Sequence, residues 1–224
     1  MASRTIDSFA ALHRAIEHQG GKVVIYRGVK DVRYKLVPKV GRYPKFKDVS
    51  SQEMEKQERT MLRLFKERAW STLPDAKTTN WELLALAQHH GLPTRLLDWS
   101  RNPLVAAYFA VEEFHDGDSL IYAFHHRTFI KTNENPDPFK RKSVGKFIPN
   151  HITPRITAQA GLFTVHPDPR KPLTSKKIER WVIPNTCRRE IKRVLYKYGV
   201  HRASLFPDLD GFSKHITWLR TDDY

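Results

Sequence analysis

The chain of 224 residues has a single cysteine, Cys187. It can form neither an internal disulfide nor a multi-cysteine zinc site, so packing has to hold the fold, and a chain this long buries enough core to do so. One thiol suits a reducing compartment. Long apolar runs are also missing. No stretch approaches the roughly eighteen residues that a membrane helix needs, and residues 1–8 lack the apolar centre of a secretory signal. These absences lead us to expect a cytoplasmic protein with no membrane partner. Several motifs are absent as well: the glycine spacing of a Rossmann turn, a Gly-rich phosphate loop ending in Gly-Lys-Ser or Gly-Lys-Thr, a His-Glu-x-x-His metal pattern and a nucleophile elbow. The adjacent pairs His89-His90 and His125-His126 do not by themselves converge on a metal, and no metal is expected.

Negative charge is scarce. Thirty-nine Lys and Arg stand against twenty-four Asp and Glu, a formal net charge of +15. Residues 127–202 carry 18 basic against 5 acidic side chains. Such a field favours a polyanion or a phosphate-bearing ligand, although the tract lacks the repeated basic-aromatic alternation of a base-stacking platform. A dinucleotide, a nucleic acid, a protein partner and ordinary solvated surface all fit it.

Periodicity gives a coarse architecture. Phe9, Leu12 and Ile16 predict a helix over 9–19, stopped by Gly20-Gly21. The β-rich Val23-Val24-Ile25-Tyr26 runs into Arg27-Gly28, which sets an arginine at the end of a core strand. Residues 30–50 read as an irregular basic connection. Helices are expected over 53–69 and 81–88, the second ended by Gly91 and Pro93, and a short strand over 94–98. Asn102-Pro103 opens a helix over 104–114, with Tyr108 facing the core, and 119–124 is strand-like. Residues 131–153 read as a long loop or lid, 158–165 and 181–183 as strands, and 188–198 as a basic helix. The turn holding Asp208 and Asp210 reads as a structural cap beside Phe206 and Phe212 rather than a metal site. Short strands with irregular connections favour an α+β fold, a single mixed alpha/beta domain over 1–224.

The densest chemistry lies in Gln88-His89-His90-Gly91-Leu92-Pro93-Thr94-Arg95-Leu96-Leu97-Asp98-Trp99. Polar groups of five kinds alternate here with leucines and a tryptophan that a solvated loop would not need, so the segment reads as a half-buried pocket wall. A hydrogen-bond network that holds a sharp turn would use the same residues, with Asp98 paired to Arg95. At the C-terminal end of a helix, His89 and His90 would be favoured as cations able to meet phosphate or carboxylate oxygens.

With Tyr26-Arg27-Gly28, Arg155-Ile156-Thr157-Ala158-Gln159-Ala160-Gly161-Leu162-Phe163-Thr164 and Leu205-Phe206-Pro207-Asp208-Leu209-Asp210-Gly211, this segment resembles the FRG domain family, whose name motif is Phe-Arg-Gly. A looser, fold-level resemblance is to ADP-ribosyltransferases: a strand ending in arginine, a Thr-Arg-Asp turn before an Ala-rich helix, and a later strand with one polar residue. That resemblance implies NAD as cofactor. Arg27 would grip phosphate or ribose oxygens, Arg95 and Arg155 would add to the phosphate grip, and Gly28, His89 and Thr94 would complete the binding set. His90 would position or protonate the acceptor, Asp98 would stabilise the positive ribose and Gln159 would orient it. Gln159 stands where the related fold usually has a glutamate and cannot supply its charge.

Three readings stay open. One is NAD-dependent transfer of ADP-ribose to a protein or nucleic acid substrate, or NAD hydrolysis. A second is a metal-independent nuclease with His89 or His90 as acid and base. The third is a non-catalytic nucleotide- or nucleic-acid-binding module. The family resemblance implies a bacterial or phage setting, with a toxin or antiphage role and a phage or host factor as partner. The first reading predicts that Arg27, His90, Asp98 and Gln159 converge on one pocket.

Overall fold

The computed structural model describes residues 2–21, 23–73, 78–149 and 154–221. In chain order these residues form β1 (Ser3–Thr5), α1 (Phe9–Glu17), β2 (Val24–Val29), α2 (Ser51–Ala69), α3 (Asn80–His89), β3 (Leu96–Ser100), α4 (Pro103–Val111) and β4 (Ser119–His125). There follow β5 (Gly145–Phe147), α5 (Pro154–Ala158), β6 (Gly161–Val165), β7 (Ile178–Ile183), α6 (Asn185–Lys197), α7 (Arg202–Leu205) and α8 (Leu209–Thr221). The seven strands make one sheet in the order β1-β7-β4-β2-β3-β6-β5, antiparallel except for β1 beside β7. The architecture is α+β, a single mixed sheet with helices against it.

Helix α4 shows how local chemistry sets the packing. The Asn102 side chain accepts the Leu104 N–H at 2.9 Å and Pro103 fills the first turn, where its missing N–H costs nothing. The helix is apolar on every side because it lies between the sheet and α6, with Tyr108 buried at its centre. Gly28 lets it approach the sheet: a Cβ there would lie 1.8 Å from the Ala106 carbonyl oxygen. Each fully buried core side chain here, such as Leu12 or Trp181, contributes about 1.5–3 kcal/mol by leaving water. A second cluster joins α2 and α3 to β3, β5 and β6. A third covers the central strands with Leu36 and Leu173 from irregular segments that hydrogen-bond to each other at 2.9 Å.

Several expectations change. Arg27 and Gly28 lie inside β2, which continues to Val29, rather than at the end of the strand. The helix from Pro103 stops at Val111, short of residue 114. Residues 158–165 are not one strand: α5 ends at Ala158, and β6 starts only at Gly161. Between them Ala160 adopts φ 47°, a left-handed conformation that a non-glycine residue takes at a cost of about 1–3 kcal/mol. Residues 131–149 are not loop throughout, since they contain a 3-10 turn and edge strand β5; residues 150–153 lie outside the described ones. The strand β1 and the helices α7 and α8 are additional. Asp208 caps α8, accepting the Gly211 N–H at 2.7 Å, as the turn chemistry of that segment suggests.

Candidate nucleotide cleft

The sheet opens between its two middle strands. β2 pairs with β4 at six positions, but with β3 only at Tyr26 opposite Ser100. Beyond that point the backbones diverge, and Arg27 spans the gap: its Nη1 donates to the Asp98 carbonyl oxygen at 2.6 Å and lies 3.4 Å from the Asp98 carboxylate. Asp98 is the one exposed residue of β3. Its carboxylate also accepts the Gln88 amide at 3.0 Å, and Gln88 in turn accepts the Thr94 hydroxyl at 2.7 Å. The carboxylate is thus held from two sides, by a guanidinium across the split and by a two-step relay from α3.

This split is the floor of a cleft of about 730 Å³, lined among others by Arg27, Gly28, His89, His90, Asp98, Arg155 and Gln159. Seven of the nine residues singled out from sequence therefore face one space. The other two do not line it. Thr94 is buried behind Gln88 and acts as its anchor. Arg95 is buried on the opposite side, where its Nε donates to Glu58 at 3.0 Å, its Nη2 makes a second, shorter contact, and its guanidinium lies 4.8 Å over the Phe139 ring. An Arg95–Asp98 pair does not form. The residues are three apart on an extended segment whose side chains alternate, so they leave on opposite faces. Burial pushes the Glu58 carboxyl up, against the downward pull of Arg95.

The rest of the wall is cationic and crowded. The Arg42 guanidinium is lowered from its ordinary value by burial and then by Arg27, and that of Arg155 by burial and then by Arg202. Desolvated cations that repel one another attract an anion that relieves both terms. His89 ends α3 and His90 caps it, their ring centroids 5.0 Å apart and edge to face. Gly91, at φ 89°, then reverses the chain, and the Leu92 N–H returns to the Ala87 carbonyl at 2.9 Å. Burial, with Arg155 adding to it, lowers His89, opposing the cationic form that its place at the helix end suggests. Gln159 sits in the α5–β6 turn. Its backbone carbonyl accepts the Ser100 hydroxyl at 2.7 Å, and its amide donates to the Leu205 carbonyl at 3.0 Å.

Sequence reasoning passed over Gln88 as a site residue and Arg42 altogether. A polar residue on an otherwise apolar helix end was a usable signal for Gln88. Arg42 carried none, because it lies in the irregular 30–50 segment that folds across the cleft. The basic tract over 127–202 is not one outward patch. Arg188, Lys146 and Lys192 within it are buried, and Arg188 donates to the Lys30 carbonyl at 2.8 Å. Among the described residues no group of three or more His, Cys, Asp or Glu side chains is placed to hold a metal, and no helix is long and apolar enough to cross a membrane.

A cleft at a split in a mixed sheet, with arginine facing aspartate across it, defines a candidate anion-binding α+β domain. The family model of the FRG domain matches residues 22–119. Arg27, Gln88, His89, His90 and Asp98 fall inside the match. Arg155, Gln159 and the 205–211 block lie beyond it. Searches of curated proteins and of solved structures return no match.

Proposed function

We propose that the cleft binds NAD and that the protein is ADP-ribosyltransferase-like or NAD-hydrolysing. The observation that carries this reading is the Arg27–Asp98 pair at the sheet split, with the exposed Arg42 and the half-buried Arg155 beside it. A ligand with two phosphates calls for more than one cation and for a space of several hundred Å³. The three arginines and about 730 Å³ meet both demands. Two of the acidic residues in the lining are already neutralised, Glu112 by Arg202 and Glu113 by Lys30 at 2.6 Å. Asp98, held less closely by Arg27 at 3.4 Å, is then the carboxylate that faces the ligand. Loss of nicotinamide builds positive charge on the ribose, and Asp98, fixed by Gln88 and Arg27, offsets that charge without reorganising. Gln159, its amide tethered to Leu205, orients the ribose. Thr94 acts through Gln88 as a positioning residue.

The test follows nicotinamide release from intact NAD, with binding measured separately. Arg27→Ala should weaken NAD binding by about ten- to a hundredfold, the worth of a lost charged hydrogen bond. Asp98→Asn should leave binding near wild type and lower turnover on the order of a hundredfold. Folded wild type that fails to bind NAD refutes the proposal. The His89–His90 pair in the same wall supports a second reading, metal-independent RNA cleavage, which RNA hydrolysis lost in His90→Ala would establish in its place.

A further inference from the structure

The segment between β2 and α2 has no strand and no long helix, yet it brings Tyr34, Lys35 and Arg42 to the central cleft. It is pinned along its length. The Asp31 carboxylate accepts the Arg33 N–H at 2.8 Å, the Tyr34 N–H donates to the Asp31 carbonyl at 3.0 Å, and the Tyr34 carbonyl accepts the Tyr122 hydroxyl at 2.7 Å. Leu36 and Val40 are buried, and the Val40 N–H reaches the Thr94 carbonyl at 3.3 Å. Fixed backbone therefore presents Tyr34 and Arg42, and a ligand that meets them has little to order.

Their side chains are open. Tyr34 is 46% exposed, and among the described residues nothing bonds to its hydroxyl or stacks on its ring. Arg42 is exposed too. Its Nε donates to the Val37 carbonyl at 2.8 Å, and neither Nη has a hydrogen-bond partner among the described residues. The groups whose charge reaches Arg42 include Arg27, Asp98 and Tyr34, so Arg42 links the Tyr34 ring to the Arg27–Asp98 pair. The run is an aromatic face, two guanidiniums and a carboxylate.

We infer that Tyr34 and Arg42 form the adenosine-phosphate subsite of the cleft, with the Tyr34 ring stacked on the adenine and the Arg42 Nη groups on the adjoining phosphate. The inference rests on the reading of the cleft as an NAD site. Along NAD, the two phosphates separate the adenosine from the ribose that carries nicotinamide. With that ribose at Asp98 and Gln159, the phosphates fall on Arg27 and Arg42, and the adenine beyond them falls on Tyr34. A phenol face takes a base by stacking, and a guanidinium takes a phosphate through paired N–H groups. The reverse orientation would put nicotinamide on Tyr34 and leave Asp98 beside the adenosine ribose, where no bond breaks.

The experiment is calorimetry on the full chain with AMP, ribose 5-phosphate, nicotinamide mononucleotide and NAD. AMP should bind wild type about tenfold more tightly than ribose 5-phosphate, which has no base. Tyr34→Ala should weaken AMP and NAD by about tenfold and bring AMP and ribose 5-phosphate to equal affinity, with nicotinamide mononucleotide unchanged. Tyr34→Phe, which keeps the ring, should retain the preference for AMP. Arg42→Ala should weaken AMP and ribose 5-phosphate by one factor, about tenfold, and leave their ratio as in wild type. Equal AMP affinity in wild type and Tyr34→Ala, a loss in Tyr34→Ala that falls on nicotinamide mononucleotide instead, or no AMP binding at all overturns the inference. NAD that binds Tyr34→Ala as tightly as wild type also overturns it, and leaves the NAD reading standing. AMP recognised through Tyr34 by a wild type that does not bind NAD refutes the NAD reading and supports the adenosine-phosphate subsite.

Discussion

Arg95 sits in the densest polar motif of the chain, and its removal separates a structural role from a catalytic one. Its side chain and that of Glu58 are each 3% exposed, and the two form a bidentate pair. Arg95→Met keeps the bulk but leaves Glu58 buried without a counter-charge, which costs about 3–5 kcal/mol. At roughly 2–4 °C per kcal/mol for a chain of this size, Tm should fall by about 6–20 °C. The double variant Arg95→Met/Glu58→Leu removes both charges and should recover most of that loss. Recovery should be incomplete, because Arg95 Nη1 also donates to the Phe139 carbonyl at 3.3 Å. The single variant carries a pH signature. Burial already raises the Glu58 carboxyl, and loss of Arg95 raises it further, so the folded state holds a proton that the unfolded chain releases. Stability of Arg95→Met should therefore fall as pH rises from about 5 to 8, starting above the unfolded glutamate value of about 4.3. Thermal melts monitored by circular dichroism at both pH values read all three effects. A Tm within about 2 °C of wild type for Arg95→Met, or a double variant as unstable as the two singles combined, would show that the pair does not hold this part of the fold.

Gly28→Ala should lower Tm by about 2–12 °C, since its Cβ would meet the Ala106 backbone, while Gly21→Ala, with open space around it, should not change Tm; equal melts would refute the close approach of α4. His166 is pulled down to about 4 by burial and then by Arg27, and its Nε2 lies 3.0 Å from the Thr164 hydroxyl, which accepts the Trp99 indole N–H. The folded state resists its protonation, so stability is complete above about 6.5 and should fall by about 3 kcal/mol as pH drops to 4; urea melts of His166→Gln should lack that portion of the slope. Thr94→Val keeps the shape but removes the hydroxyl that anchors Gln88, and should lower nicotinamide release several-fold with NAD affinity unchanged; a changed affinity with normal turnover would contradict the relay.

The parts of the fold legible in sequence are those with one-dimensional signals. Helix α3 has a Thr79–Glu82 capping box and a left-handed Gly91, α4 begins at Asn102-Pro103, and β4 is a run of apolar and aromatic residues. The α5–β6 turn had no such signal. Nothing in Ala158-Gln159-Ala160-Gly161 announces that Ala160 takes φ 47°, so the segment read as strand and Gln159 was set on a strand instead of in the turn. The site was legible as a set of residues but not as a network. Proximity in sequence suggested Asp98 with Arg95, whereas the partner Arg27 is chosen by the split between β2 and β3, a pairing across 71 positions, and Gln88 reaches Asp98 from α3.

The extent of the family match divides the cleft into two parts that should behave differently. Arg27, Gln88 and Asp98 come from the matched residues 22–119 and form the floor, which is braced by backbone and side-chain bonds across the sheet. Arg155 and Gln159 come from outside that range and reach the cleft on the short helix α5 and its turn, held chiefly by contacts to Leu205 and Phe206. A cation on the floor meets whatever phosphate enters, while one on the wall meets only a ligand long enough to span the cleft. Affinities for AMP and ADP-ribose, measured side by side in the central cleft, distinguish the two. Arg27→Ala should weaken both by the same factor, on the order of ten- to a hundredfold for a lost charged hydrogen bond, and so leave their ratio unchanged. Arg155→Ala should weaken ADP-ribose alone and shift the ratio by about tenfold. If Arg155→Ala weakens both ligands equally, the wall does not read ligand length, and specificity must lie with the Arg42 and Tyr34 side of the cleft instead.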